Sequence, residues 1–326
     1  MLVKEIIDMF EILDSAYASG EKVAEFLKGI KSDCTVKVET LTGEEGMSTD
    51  VIKVMIPGKN GKSKGGTAPT IGLLGRLGGL GARPERTGFV SDGDGALTVL
   101  ATAAKLLKMQ KEGDFLEGDV LVSTHVCPDA PTQPHKPVAF MGSPVSMGQM
   151  NQSEVDASVD AILSVDTTKG NKIMNHKGFS ISPTVKDGYI LKVSEDLLSI
   201  MEITTGQLPK VFALSMQDIT PYGNNLYHLN SILQPATATT SPVVGVAITT
   251  ETAVPGCATG ATNMMSIDEA ARFILEVAKA YTKGECSFYD EKEYAHLHKL
   301  YGTMEHLRTL VLMLKVEKSA DYRIHK

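Results

Sequence analysis

The sequence contains no tryptophan and only 6% aromatic residues, which removes the stacking platforms on which surfaces for bases and sugars are commonly built. Nor is there a surplus of positive charge. Thirty-two Lys and Arg stand against 39 Asp and Glu, a formal net charge of -7, so the clustered cations that neutralise phosphates are missing and no nucleic-acid partner is expected. The most basic run, Lys59-Asn-Gly-Lys-Ser-Lys-Gly-Gly66, reads as a solvated hairpin loop. No apolar stretch reaches the roughly 20 residues of a membrane-spanning helix. Charges also interrupt Met1-Leu-Val-Lys-Glu-Ile-Ile-Asp, where a secretory signal would carry its apolar centre. A cytoplasmic chain with no membrane partner is therefore expected. The four cysteines, Cys34, Cys127, Cys257 and Cys286, form no C-x-x-C pair, which leaves out zinc knuckles and thioredoxin-type motifs. Reduced thiols are the default.

What is present suits a globular protein: 42% apolar and 22% charged residues in a chain of 326, enough to bury a sizeable core. Helical spacing of Ile6, Ile7, Phe10 and Leu13, then of Val23, Phe26 and Leu27, predicts two opening helices. Residues 35–41 and 50–56 read as paired edge strands. The organising stretch is 70–130. Its apolar run at 70–75 predicts a strand, Ser91-Asp-Gly-Asp-Gly95 opens a helix to about residue 110, and Gly118-Asp-Val-Leu-Val-Ser-Thr-His-Val-Cys-Pro-Asp-Ala130 is a second strand ending in reactive side chains. The prolines between residues 128 and 144 require a loop. Beyond it, residues 151–159 read as a helix, 160–166 as a buried strand, 178–185 and 188–193 as a β pair, and 194–202 as a helix. Residues 211–215 read as a strand, 224–233 as a short helix and 242–250 as a buried strand of parallel type. Ser266-Ile-Asp-Glu269 has the form of a capping box for a helix to about residue 281. A last helix from about residue 288 is expected to dock on the domain or on a partner subunit. With no repeat or low-complexity linker, residues 1–326 are expected to form a single α/β domain, a three-layer αβα sandwich around a mixed, mainly parallel sheet.

Such sheets keep their ligands at the carboxyl ends of the strands. That rim should collect Arg76, Asp92, Asp94, His125, Cys127 and Asp129. Asp92 and Asp94 stand where a helix N-cap is the ordinary reading, but two acids in a glycine-rich turn can also hold a cation if other loops supply ligands. His125, Cys127 and Asp129 alternate, and a period of two would aim them the same way. His135 follows in the same loop. Asp166 closes the buried strand at 160–166. Cys127 and Cys257 could face each other as the two thiols of a cofactor-independent racemase. Gly75-Arg-Leu-Gly-Gly-Leu-Gly81 lacks dinucleotide-loop spacing and Pro84 stands where a helix should follow, so no nucleotide cofactor is expected. The histidines of Glu293-Tyr-Ala-His-Leu-His298 and His306 read as solvated helix residues.

The order of features from Ser15 to Leu107, with the strands at 118–124 and 160–167, resembles the zinc-dependent exopeptidases and deacylases of phosphorylase/hydrolase-like fold. These include leucyl and glutamyl aminopeptidases and the acetylornithine deacetylase group. The whole chain also resembles a bacterial and archaeal family named only as a domain of unknown function (DUF1177-like), with Cys127-Pro-Asp-Ala-Pro-Thr-Gln-Pro-His-Lys-Pro-Val138 as the distinctive run. The exopeptidase resemblance implies a divalent metal, zinc, held by Asp92, Asp129 and Asp166. This sequence departs from that pattern in three places. The first metal-binding His is replaced near Arg76, the Glu-Glu pair has become Cys127-Pro128-Asp129, and the last His has no counterpart around Ala258 to Asn263. The leading expectation is hydrolysis of an amide or peptide-like bond in a small molecule. Metal-bound water would be the nucleophile, with His125 assisting the metal, Asp94 or His135 handling the proton and Arg76 holding a substrate carboxylate. The alternatives are a thiol enzyme using Cys127, with or without Cys257, and a noncatalytic small-molecule binder. A homo-oligomer is expected.

Overall fold

Amphipathic spacing at the start of the chain becomes two helices in the computed structural model, which describes residues 1–43, 46–76, 88–128, 130–136 and 138–308. Helix α1 (Val3–Leu13) buries Ile6, Met9 and Leu13. Helix α2 (Gly20–Ile30) begins at Ser19, whose hydroxyl accepts from Lys22 N and satisfies one orphan donor of the first turn. Strands β1 (Thr35–Thr42) and β2 (Ser48–Ile56) pair antiparallel, Val38 opposite Ile52. Next come β3 (Ile71–Gly75), α3 (Asp94–Lys111) and β4 (Val120–Val126), with β3 and β4 parallel and Leu73 opposite Val122. The proline-rich loop carries a short hairpin, β5 (Thr132–Gln133) with β6 (Phe140–Met141). Helix α4 (Met147–Glu154) leads to β7 (Ala161–Thr168), which runs parallel to β3. The remaining elements are β8 (Gly178–Ile181), β9 (Val185–Lys186), β10 (Tyr189–Ile190), α5 (Glu195–Thr205), β11 (Val243–Thr249), α6 (Met264–Thr282) and α7 (Glu291–Tyr301).

The strands form one mixed sheet in the order β1-β2-β4-β3-β7-β11-β9-β10, with β8 also pairing with β11. Its four central strands, β4, β3, β7 and β11, are parallel, and antiparallel strands close both sides. Period-two alternation gives each central strand two buried faces. Val122, Leu73, Leu163 and Val246 join a core under α1, α2, α3, α5 and α6, where Leu97, Leu100, Phe273 and Ile274 are buried. Leu121, Leu74, Ile162 and Val243 face the other way, against Phe212, Ile219, Ile232 and Leu233. The three-layer αβα sandwich is thus the observed architecture. No helix among the described residues is long and apolar enough to cross a membrane.

Several local expectations shift. Helix α4 starts at Met147 and stops at Glu154, because a Ser146–Gln149 capping box opens it and Asp156 turns the chain by accepting from Ser158 N. Val211 makes only an isolated bridge to Ile181, while Phe212 fills the core beneath. The expected helix at 224–233 is a 3-10 segment at Ser231–Thr237, with Pro235 inside it. Asn263, not Ser266, caps α6, its side chain accepting from Met265 N and Ser266 N. Helix α7 ends at Tyr301 before Gly302, which takes a positive φ of 77°, so Met304 and Leu307 lie outside it. Residues 309–326 lie outside the described residues.

One contact fixes how α3 meets the sheet. A Cβ at Gly95 would stand 2.5 Å from Val165 O and 2.8 Å from Arg76 O, and a Cβ at Gly75 would stand 2.7 Å from Gly95 O. Backbone therefore packs on backbone where β3 and β7 end. Gly95→Ala should lower unfolding free energy by about 1–3 kcal/mol, measured by urea denaturation. A variant as stable as the parent would show that the helix can retreat without loss.

Candidate active site

The ends of β3, β4 and β7 share one rim, and strand parity decides what each places there. On β4, Leu121 faces the α4 side of the sheet, and so does His125, four residues on. On β3, Leu74 faces that side and Arg76 follows it. On β7, Ile162 and Ser164 face it, Ser164 Oγ donating to Ile232 O at 2.6 Å, and Asp166 continues the series. Glu154, the last residue of α4, is fully buried beneath this row. Its Oε1 stands 2.5 Å from His125 Nδ1, and its Oε2 accepts from Arg76 Nη1. Arg76 is itself only 1% exposed, and its Nη2 lies 2.6 Å from Met147 Sδ. Burial opposes ionisation of Glu154, but Arg76 and His125 hold its carboxyl below the usual glutamate range.

Asp92 lies in the 3-10 turn Ser91–Gly93, and α3 begins at Asp94 with Gly93 in the cap position and no side-chain cap. Neither acid is therefore acting as a helix cap. Asp92 Oδ2 accepts from Met141 N at 3.0 Å. Its carboxylate lies against Gly256, where a Cβ would stand 2.1 Å from Oδ2. Ser91 and Asp92 tie the turn to that same loop through Gly256 O, each at 3.0 Å. Asp94 is 1% exposed, and neither of its carboxylate oxygens has a hydrogen-bond partner among the described residues. Lys169 Nζ, one residue beyond β7, stands 3.7 Å from Asp94 Oδ2. Asp166 Oδ1 accepts from Thr167 N at 2.7 Å, and its Oδ2 stands 3.4 Å from Ser231 Oγ.

Burial dominates the electrostatics of these acids. It pushes the Asp166 carboxyl up to about 7 against the pull of Arg76, with Asp92 adding to the rise. It likewise pushes Asp94 up to about 7 against Lys169 and Thr262. Asp92 is raised by burial against the Met141 N–H and Lys169. Burial lowers Lys169, though Asp94 and Asp92 favour its charge, and burial raises the nearby Tyr222 phenol. The rim thus holds carboxyl groups poised to exchange protons near neutrality, beside Arg76 and Lys169.

The expected residues fall into three groups. Arg76, Asp92, Asp94 and Asp166 meet in one electrostatic cluster, and His125 joins it through Glu154. Cys127 and Cys257, both 2% exposed, share a separate small apolar cluster with Val90, Ala130 and Met141. His135 is exposed on the loop between β5 and β6, its Nδ1 3.2 Å from Val138 O, and Asp129 lies outside the described residues. Glu154, Lys169, Ser231 and Tyr222 escaped the sequence reading. Only Lys169 carried a usable signal there, a cation three residues beyond the strand-ending Asp166.

Among the described residues, no three His, Cys, Asp or Glu side chains converge as a metal centre. Asp92 and Asp166 are the described carboxylates of the expected ligand set, and Arg76 and Lys169 already supply positive charge beside them. The described donors do not fit a divalent ion by themselves.

The family model described as "Protein of unknown function (DUF1177)" matches residues 39–311. No curated protein sequence matches the chain. Among solved structures, a Zn-dependent exopeptidase from Parabacteroides distasonis is similar at TM-score 0.45 and 9% identity, over 85% of this chain and 96% of that one. A glutaminyl cyclase from an Acidobacteriales bacterium is similar at TM-score 0.45 and 15% identity, over 81% and 86%. An M17 aminopeptidase from Trypanosoma brucei is similar at TM-score 0.48 and 11% identity, over 84% and 62%.

Because Asp94 and Asp166 hold their protons to higher pH when folded than the ordinary value of 3.8, the folded state binds more protons than the unfolded between about pH 4 and 7. Their contribution to stability therefore falls as pH rises through that window. Asp166→Asn, which keeps the shape of the neutral acid, should raise the melting temperature at pH 8 by about 3–8 °C and change it little at pH 4, read by calorimetry. An unchanged or lower value at pH 8 would contradict the electrostatics described.

Proposed function

Starting from the premise that this chain belongs to the DUF1177 family, we propose that it is a hydrolase of an amide or peptide-like bond in a small molecule, acting at the carboxylate rim of the sheet. The observation that carries this reading is Asp94: a buried carboxylate with no hydrogen-bond partner among the described residues, raised to about 7, beside an ammonium group. Buried carboxylate oxygens that accept no hydrogen bond are costly, and the Lys169 ammonium at 3.7 Å offsets that cost in part. Acid–base catalysis suits such a group, because a catalytic pKa near the working pH serves proton transfer best.

In this reading Asp94 takes the proton of the attacking water and returns it to the leaving nitrogen. Lys169 faces the negative charge that develops on the amide oxygen. Asp92 and Asp166 set the field in which Asp94 titrates. Arg76 is held by Glu154 and keeps the rim's positive charge in place, one guanidinium arm being engaged by that carboxylate. A divalent ion such as zinc, implied by the exopeptidase resemblance, would supply a water of lowered pKa if Asp129 joined Asp92 and Asp166. No step above depends on it.

A second reading, thiol chemistry, is favoured by one observation, the shared cluster of Cys127 and Cys257. The experiment that decides is turnover of a panel of N-acyl amino acids and dipeptides, with and without added zinc. Wild-type rate should rise with pH through about 7 as Asp94 ionises, and Asp94→Asn should cut kcat by about 100-fold or more with the fold retained. No turnover of any amide under either condition contradicts the hydrolase reading. Loss of turnover in Cys127→Ser with only mild loss in Asp94→Asn would favour the thiols.

A further inference from the structure

At the opposite end of the sheet from the carboxylate rim lies an open groove of about 1050 Å³. Pro69, Asp160 and Pro242, which line it, stand just before the parallel strands β3, β7 and β11. Helix α7 contributes Tyr294 and Leu297 to another wall. Tyr294 anchors this helix on the body, its ring against those of Tyr189 and Tyr289 at centroid distances of 6.2 and 5.6 Å. Yet α7 buries none of its 11 residues, and Leu300 and Tyr301 at its end are 57% and 66% exposed. A helix this short is marginal in water on its own, so a further surface against its apolar side would stabilise it.

Charge narrows what that surface must carry. Six carboxylates line the groove against two lysines, Lys192 and Lys292. Lys192 pairs with Glu293 at 2.9 Å, and Lys62, from outside the groove, pairs with Asp160 at 2.6 Å. Glu195 and Glu291 are exposed, and among the described residues neither has a cation within 4 Å. The groove therefore keeps a negative surplus. The Lys62–Asp160 pair also fixes the position of the basic loop 59–64, directly beside the groove. Lys59 and Lys64 are exposed on that loop, with no carboxylate within 4 Å among the described residues, and Lys64 Nζ stands 5.3 Å from the Phe115 ring. One face thus carries an exposed basic loop and an acidic groove edged by the apolar end of α7. A two-fold axis across such a face brings each loop to the other copy's groove, the self-complementarity that an isologous dimer requires. A basic segment of some other protein would match Glu195 and Glu291 but leave Lys59 and Lys64 unmatched. A second copy matches both.

We infer that this face is a two-fold interface between copies of the chain. The loop 59–64 of each copy seats in the groove of the other, with Lys59 and Lys64 toward Glu195 and Glu291, and the contact covers Leu300 and Tyr301. The inference is independent of the chemistry assigned to the rim, which lies at the other end of the strands.

Charge reversal with light scattering on the full chain tests the pairing. One variant carries Lys59→Glu with Lys64→Glu, the other Glu195→Lys with Glu291→Lys. All four side chains are exposed, so the core stays intact, and melting followed by circular dichroism checks that it does. The parent should be a dimer that added salt weakens. Each variant alone should dimerise about tenfold more weakly or worse, because like charges then face each other at both contacts. An equimolar mixture of the two variants should form a heterodimer, since opposite charges meet again at both contacts. A monomeric parent, variants that dimerise as well as the parent, or a mixture that associates no better than its components would overturn the inference.

Discussion

Where α3 meets the sheet, backbone touches backbone, and the consequences reach the whole rim. Gly75 ends β3 and Gly95 is the second residue of α3, and neither position has room for a side chain. Asp94 is one residue before Gly95 and Asp92 three before it, so the depth to which the helix can approach sets how near both acids come to Asp166 and Lys169. A larger residue at either glycine would lift the helix and pull the cluster apart. The same approach lets α3 bury Leu97, Leu100 and Ala104 against the sheet, and packing of that side stabilises a placement that is electrostatically unfavourable.

That unfavourable placement is offset by polar partners on both sides. Glu154 is paired with Arg76 and His125 below the rim, and Lys169 stands beside Asp94 at its outer edge. Removing Glu154 would leave the buried Arg76 guanidinium without its carboxylate, which is the costly case for buried ions. The arrangement divides the acids by environment. Glu154 is held ionised by two partners, whereas Asp94 and Asp166 are held close to neutrality by burial. Groups with such separated proton affinities at one rim are the pattern that acid–base chemistry uses.

Much of the layer architecture was legible because burial on both faces leaves long apolar runs, as at residues 71–75, 120–126, 161–165 and 243–248, with a strong helical stripe between the first two. Parallel strands end in one place, which is why the sequence reading grouped Arg76, Asp92, Asp94, His125, Cys127 and Asp129 at one rim and placed Asp166 at the end of its own buried strand. Glu154 was not legible, since its importance depends on α4 ending under β3 and β4, a tertiary fact without a local signature. The capping box at Ser266 misled because Asn263 offers the same side-chain chemistry three residues earlier, and the 3-10 segment at Ser231–Thr237 had no hydrophobic period to reveal it. Cys127 and Cys257, 130 residues apart in the chain, were paired in the sequence reading as opposed thiols, and both enter one small apolar cluster.

Infrared titration of the carboxyl groups, comparing the parent chain with Asp94→Asn and Asp166→Asn, observes the central feature without reference to any substrate. A protonated-carboxyl C=O band that persists above pH 5, vanishes around pH 7 and weakens in each variant is expected. Complete loss of that band near pH 4, the ordinary aspartate range, with no difference between parent and variants, would contradict a rim of buried, proton-exchanging acids.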